Sequence, residues 1–401
     1  MCTRRFVVQI LLLLVIVTGL TACLQFGETR LWTTSGTRYR RPNLSPDGQW
    51  LLFESDRHIH VCRPDGSNRR CLSERLECGS NGCWAPNALH IIFTGRHKGQ
   101  TDLRERDLYR TDPEGRELTN LTDTPGIAED FVEWSPDGNR IVFFRHDPSA
   151  RQDEIVIATA DGGGQRVLAM GWAARWSPDG RWIAFSTERD MRVIGADGSH
   201  DRKIGVGTPI VWTPDSSAIL YYPPRPETSS PFHIYLTRLD GRQNTLVLEN
   251  AWNEWGTIDA RRMWDPSGTR LALAVYPIVG RRDRNGIVLL DPQGNVLADL
   301  RESEPFEYDP CVSWSPDGTM LVFSKCLISP GVPWEGGIYT MRDDGTNLTQ
   351  VLADTVQWQM QPLGRWSRVQ LWGRVDTEER AAQLAAPNLN VAPGRWYAEC
   401  M

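Results

Sequence analysis

Short apolar runs recur along the chain, three or four residues each, and each follows a polar turn. Leu51-Leu52-Phe53, Ile91-Ile92-Phe93, Ile141-Val142-Phe143-Phe144 and Leu321-Val322-Phe323 are the clearest. A continuous apolar run without polar alternation predicts a short strand buried on both faces. The turns ahead of the runs share one spelling. Trp-Ser-Pro-Asp-Gly stands at 134–138, 176–180 and 314–318, and variants begin at Leu44, Trp84, Trp212 and Trp264. Proline presets φ for the first central position, Asp bonds back to the local backbone, and Gly takes the φ > 0 that follows. About ten to twenty residues later, a second strand leads into a second turn, as at 64–67, 196–199, 239–242 and 343–346.

The motif prolines at 46, 86, 136, 178, 214, 266, 316 and, in a worn copy, 362 lie 36 to 52 residues apart. Four short strands per ~45 residues describe a β-propeller blade, which buries both faces only by stacking on neighbours. The fold class is therefore all-β. Thr29–Thr33 reads as an orphan outermost strand whose partners are expected at 355–361 and 366–372. This predicts eight four-stranded blades, the last closed by the N-terminal strand. The alternative is seven blades plus a C-terminal appendage. The propeller is placed at 29–373, and a tail with a short helix over Thr377–Ala386 at 374–401.

These repeats resemble the propeller of the TolB family over residues 29 to 372. The resemblance implies a periplasmic binding protein of the cell envelope. Repeats begin soon after Cys23, which leaves no room for the N-terminal α/β domain that TolB carries. Oligogalacturonate lyases show a similar repeat and use a His-rich metal site on the axis. The seven His residues here do not spell that set. His58 and His60 share one face of a predicted strand, either half a metal site or a pair exposed at a blade edge. No Gly-x-Ser-x-Gly elbow, His-Glu-x-x-His or phosphate-binding Gly loop occurs. No catalytic residue, metal ligand set or cofactor is assigned.

Residues 1–22 read as a signal peptide, with Arg4-Arg5 ahead of an apolar segment too short to span comfortably. Leu20-Thr21-Ala22-Cys23 resembles the bacterial lipobox. That implies a lipid-carrying Cys23 (thioether diacylglycerol plus an amide-linked acyl chain such as palmitate), a tether over 23–28, and an extracytoplasmic, membrane-anchored protein. An uncleaved anchor or an ordinary signal peptide is the alternative.

Charge adds one exclusion. Lys and Arg number 44 against 50 Asp and Glu, a net charge of −6, which argues against a nucleic-acid surface. Nine cysteines occur. Cys62 and Cys71 flank one turn, Cys311 and Cys326 another, and Cys78 and Cys83 bound a Gly-Ser-Asn-Gly loop. Three local disulfides fit an oxidising compartment. Cys400 is left over. A zinc site from Cys62, Cys71, Cys78 and Cys83 is the rival reading.

The predicted site lies on the end of the propeller built from long loops: 94–107, 145–154, 222–233, 248–259, 276–286 and 326–337. Function concentrates on variable loops held by a rigid scaffold. Trp252, Glu254 and Trp255 lie in one loop, Trp334 and Glu335 in another, and Arg96 and His97 in a third. Tryptophan beside charge suits recognition of an envelope protein or cell-surface polymer by a monomeric propeller. The alternative is that these tryptophans pack their own loops. The rival function is a metal-dependent polysaccharide lyase or hydrolase with an axial site.

Overall fold

The computed structural model describes residues 24–25, 28–35, 39–99, 105–148, 153–224, 233–241, 244–248, 263–275, 285–302, 306–327, 336–354 and 357–362. They fall into two compact units. One is a propeller whose consecutive antiparallel sheets each run in chain order. Blade 1 comprises Tyr39–Leu44, Leu51–Ser55, His58–Cys62 and Arg70–Cys71. Blades 2 to 7 span 76–120, 128–170, 172–205, 208–248, 264–302 and 306–353. In blade 6 three described strands form the sheet, and Trp264 bridges Leu271 on the inner side.

Four of the motif turns are locked by their serine, and Thr213 does the same in blade 5, a role the pattern alone does not reveal. In blade 3 the Gly138 N–H donates to the Ser135 carbonyl at 2.9 Å. The Ser135 hydroxyl accepts the Arg140 N–H at 2.9 Å and itself donates to Asp137. Ser45, Ser177 and Ser315 repeat the arrangement. These bonds hold Asp137 and Asp317 below the usual carboxylate range, the serine hydroxyl being the largest cause.

The apolar runs are buried on both faces, as their lack of alternation predicts. Successive strand residues point to opposite faces, so one run feeds two interfaces. Ile141 and Phe143 join the cluster between blades 2 and 3, while Val142 joins that between blades 3 and 4. Leu52 faces blade 2, and Leu51 and Phe53 face blade 7. The motif tryptophans 134, 176, 212, 264 and 314 are core, at most 7% exposed. Four indoles also reach back one blade. Trp84, Trp212, Trp264 and Trp314 donate Nε1–H to the carbonyls of Asn43, Arg175, Trp212 and Met263 at 2.8 to 3.1 Å.

The expected eighth blade is corrected by the structure. The N-terminal strand Glu28–Ser35 does pair with Gln357–Pro362, Arg30 opposite Pro362 through Ser35 opposite Gln357. That pair, with Leu24–Gln25, belongs to the second unit and not to the ring. The ring closes at seven blades because blade 7 packs directly on blade 1. Tyr39, Leu44, Leu51, Phe53 and Cys62 meet Val322 and Ile338, and Asp354 accepts the Tyr39 N–H at 2.9 Å. Residues 366–372 and the helix expected at 377–386 lie outside the described residues.

Candidate functional site

The up-and-down strand order gives the ring two unlike ends. Connections from first to second and from third to fourth strand lie at one end, and all are short turns. The remaining connections, within and between blades, lie at the other. At the turn end each motif glycine packs on the proline one blade back, in the pairs Gly138 on Pro86, Gly180 on Pro136, Gly268 on Pro214, Gly318 on Pro266 and Gly48 on Pro316. Gly268 shows why glycine is needed. Its φ is +68°, and a Cβ there would lie 2.9 Å from Pro214. Inside this end a cavity of about 310 Å³ lies between the inner strands of blades 3 to 6. Pro136, Pro178, Pro214 and Pro266 line it with Trp176, Trp212, Trp264, Glu133 and Arg175. Glu133 and Arg175 stitch the strands together. The Glu133 carboxylate accepts the Trp176 N–H at 3.1 Å, and Arg175 Nε donates to the Ile210 carbonyl at 3.1 Å.

Toward the long-loop end the inner strands are bulged. Register shifts fall between Arg40 and Asn43, Ser80 and Cys83, Asp130 and Glu133, and Trp172 and Arg175. At their centres Arg41, Asn81, Phe131 and Ala173 adopt φ of 53°, 56°, 52° and 55°. A bulge re-aims side chains, and left-handed non-glycine residues persist only where their surroundings hold them. For the first three a polar network does so. Arg41 pairs with Glu54 at 3.2 Å and donates to Asn81, which donates to Asp130. Asp130 also takes Arg106 at 3.2 Å, the Thr94 hydroxyl at 2.7 Å and the Phe131 N–H at 2.8 Å. Three successive inner strands are thus tied across the funnel wall, and Phe131 is left 37% exposed. The bulged residue stands three positions before the first motif residue, Leu44, Trp84, Trp134 or Trp176, in each of these four blades. The sequence holds that phase, but without glycine at those positions it carries no visible sign of the left-handed turn.

Of the proposed binding residues, Trp252, Glu254, Trp255, Trp334 and Glu335 lie outside the described residues. Arg96 is 4% exposed and grips Glu77 through two bonds of 2.6 and 3.1 Å. His97 is exposed, with Nδ1 2.8 Å from the Lys98 carbonyl.

The cysteines call for a correction. Cys62, Cys71, Cys78 and Cys83 are free thiols. Cys71 stands opposite His60 rather than Cys62, which is one diagonal step away; diagonal Cα atoms sit ~7–8 Å apart, too far for a disulfide. Cys78 and Cys83 lie on one strand, Leu76–Trp84, instead of flanking a loop, which separates them by roughly 15 Å at ~3.3 Å per residue. Cys326 pairs with Glu307 while Cys311 falls in the irregular stretch before Val312; their side chains are outside the described residues. Burial pushes the Cys62 thiol up to about 12. His58 and His60 are not a metal pair in this arrangement. His58 Nδ1 is 3.0 Å from the Ser73 hydroxyl, and His60 is buried against Phe53. Among the described residues, no group of three or more His, Cys, Asp or Glu side chains gathers to hold a metal, the four cysteines included.

The fold and its closure define a seven-bladed propeller of four-stranded blades. No known family model matches the chain. It is similar to an uncharacterised protein of Agrobacterium fabrum, 30% identical over 137 residues, which is 30% of this chain and 44% of that protein. The chain thus spans under half the length of that relative. Among solved structures it resembles an oligogalacturonate lyase in complex with manganese (TM-score 0.56, 15% identity, 80% of this chain and 96% of that one). It also resembles the β-propeller domain of the Trilobed protease from Pyrococcus furiosus (TM-score 0.55, 12% identity, 79% and 98%). TolB from Acinetobacter baumannii aligns more loosely, at 0.42 and 15% identity over 82% of each chain. At these identities the likeness is one of fold.

Proposed function

We propose that the protein is an extracytoplasmic propeller, lipid-anchored through Cys23 after removal of residues 1–22, that binds an envelope protein or cell-surface polymer at its long-loop end. The observation that supports this most is the asymmetry of the ring. The turn end is closed by short turns that interlock with one another, so it has little freedom to vary. The other end carries every long connection above a strained, cross-bonded ridge of inner-strand residues. Rigid walls with variable loops suit recognition. Trp252, Trp255 and Trp334, with Glu254 and Glu335 beside them, are the proposed anchors, with the exposed His97 at the rim and the neighbouring Arg96 buried on Glu77 as its support. The experiment is capture from solubilised envelope by immobilised protein, comparing wild type with Trp252→Ala, Trp255→Ala and Trp334→Ala. Anchors lose a defined partner at unchanged melting temperature. Early melting of all three with unchanged capture places the site elsewhere. Chemical turnover of a captured polysaccharide by the wild type would replace binding with the lyase or hydrolase reading.

A further inference from the structure

Between blades 2 and 3 the chain buries two carboxylates side by side. Arg106 and Ala128 form a parallel bridge, and the Glu129 N–H donates to the Arg106 carbonyl at 2.8 Å. This sets Asp107 beside Glu129, at 4% and 0% exposure. Two threonines of the crossing segment serve both groups. The Thr124 N–H donates to Asp107 Oδ1 at 3.2 Å, and the Thr124 hydroxyl donates to Glu129 Oε1 at 2.6 Å. The Thr122 hydroxyl stands 3.4 Å from Asp107 Oδ1 and also acts on Glu129. Asn120 Nδ2 donates to Asp107 Oδ2 at 3.0 Å. Arg145 Nε donates to Glu129 Oε1 at 3.2 Å, but that guanidinium also lies 3.9 Å from Glu154 and bonds Gln165. Two acids, Glu129 and Glu154, therefore share one guanidinium, while Asp107 is held by the neutral donors Asn120, Thr122 and Thr124. Asp130, next in sequence, is already committed to Arg106, Asn81 and Thr94.

Glu129 Oε2 remains. It is fully buried and has no hydrogen-bond partner. A carboxylate oxygen stranded in a protein interior is costly unless something satisfies it. We propose that Asp107, Glu129 and the hydroxyls of Thr122 and Thr124 bind a hard divalent cation, calcium, at the crossing from blade 2 to blade 3. Every donor offered is oxygen, which suits calcium and disfavours thiolate- or imidazole-seeking metals. The ion pins the crossing segment 121–127 to the first strand of blade 3. A proton is the competing occupant, and burial does raise the Glu129 pKa. It neutralises the charge without drawing in the hydroxyls of Thr122 and Thr124, and the calcium titration separates the two occupants.

The test uses the whole purified protein, stripped with chelator. Calcium is titrated by calorimetry, and terbium emission is excited through Tyr109, whose hydroxyl lies 3.5 Å from Asn120 Nδ2. One ion per chain is expected, with a calcium-dependent rise in melting temperature. Glu129→Gln and Asp107→Asn each weaken binding at least tenfold. If Glu129→Gln fails to fold, Asp107→Asn and the wild-type titration still decide. Absence of stoichiometric binding by the stripped wild type overturns the proposal. So does unchanged affinity in both variants, or a Glu129→Gln protein that is more stable than wild type with and without calcium.

Discussion

Acid should weaken the ring through His60. This imidazole is 9% exposed, stacks on Phe53 at 5.5 Å between centroids, and has Nε2 3.2 Å from the Ser55 carbonyl. Its Nδ1 is buried without a partner. Burial, and then the charge of Arg69, lowers its pKa from 6.5 to about 4. The unfolded chain takes up a proton near 6.5, and the folded chain only near 4. The unfolded state thus binds more protons in that window, and stability is lost as pH falls through it. The displacement corresponds to about 3 kcal/mol in full, of which about 2 is gone by pH 5. Partial solvent screening of the ring reduces the expected loss to roughly 1–2 kcal/mol. Urea denaturation at pH 7.5 and pH 5.0 should show that difference in wild type and not in His60→Gln, beyond what carboxylates contribute to both. An identical pH dependence in the two proteins, or a His60 resonance titrating near 6.5, would refute the reasoning.

Four further outcomes are expected. Trp264→Phe should cost about 1–3 kcal/mol beyond packing, because the Trp212 carbonyl loses its donor. Trp176→Phe, whose indole N–H has no partner, should lack that excess, and equal losses in urea would sink the cross-blade bond. Phe53→Ala at the seam between blades 7 and 1 should cost about 3–5 kcal/mol, like Phe143→Ala between blades 2 and 3; a loss under about 1 kcal/mol would mean the ring is not closed there. Cys23→Ser should move the protein from the membrane to the soluble fraction, and equal retention after alkaline wash would rule out the anchor. Alkylation of unfolded, unreduced protein should label Cys62, Cys71, Cys78 and Cys83; masses two hydrogens short at 62 and 71 would restore that disulfide.

The blades were legible because their chemistry is local and repeated. Pro136, Asp137 and Gly138 each answer to a turn angle, and Ile141-Val142-Phe143 answers to burial on both faces, so a few residues suffice. Blade count was not local. Thr29–Thr33 reads as a strand in need of a partner and does find one at 357–362. Whether that pair enters the ring depends on whether Val322 and Ile338 already fill the face of blade 1. That is a contact across some 270 residues, and no pattern encodes it. The cysteines failed for a related reason. Cys71 lies nine residues from Cys62 and looks opposite it, but the turn at 63–67 sets the register so that His60 takes the facing position. A shift of two positions is invisible in spacing and decisive for a bond of fixed reach.

Register also explains why the two ends of the ring differ. At the turn end five of the motif prolines meet a glycine one blade on, so a change in one turn disturbs its neighbour, and closely related spellings recur around the ring. Toward the other end Arg41, Asn81, Phe131 and Ala173 share only a backbone state. Their contacts differ from blade to blade, Arg41 on Glu54, Asn81 on Asp130 and Phe131 against Phe144, so residue identity is free to follow local need. Chemistry that differs from blade to blade can therefore accumulate there without loosening the ring. Asp107 and Glu129 are an instance. Their juxtaposition depends on the parallel bridge between Arg106 and Ala128, which lies outside the four-strand repeat. A repeat that closes its own core leaves such crossings as the places where one blade acquires what the others lack.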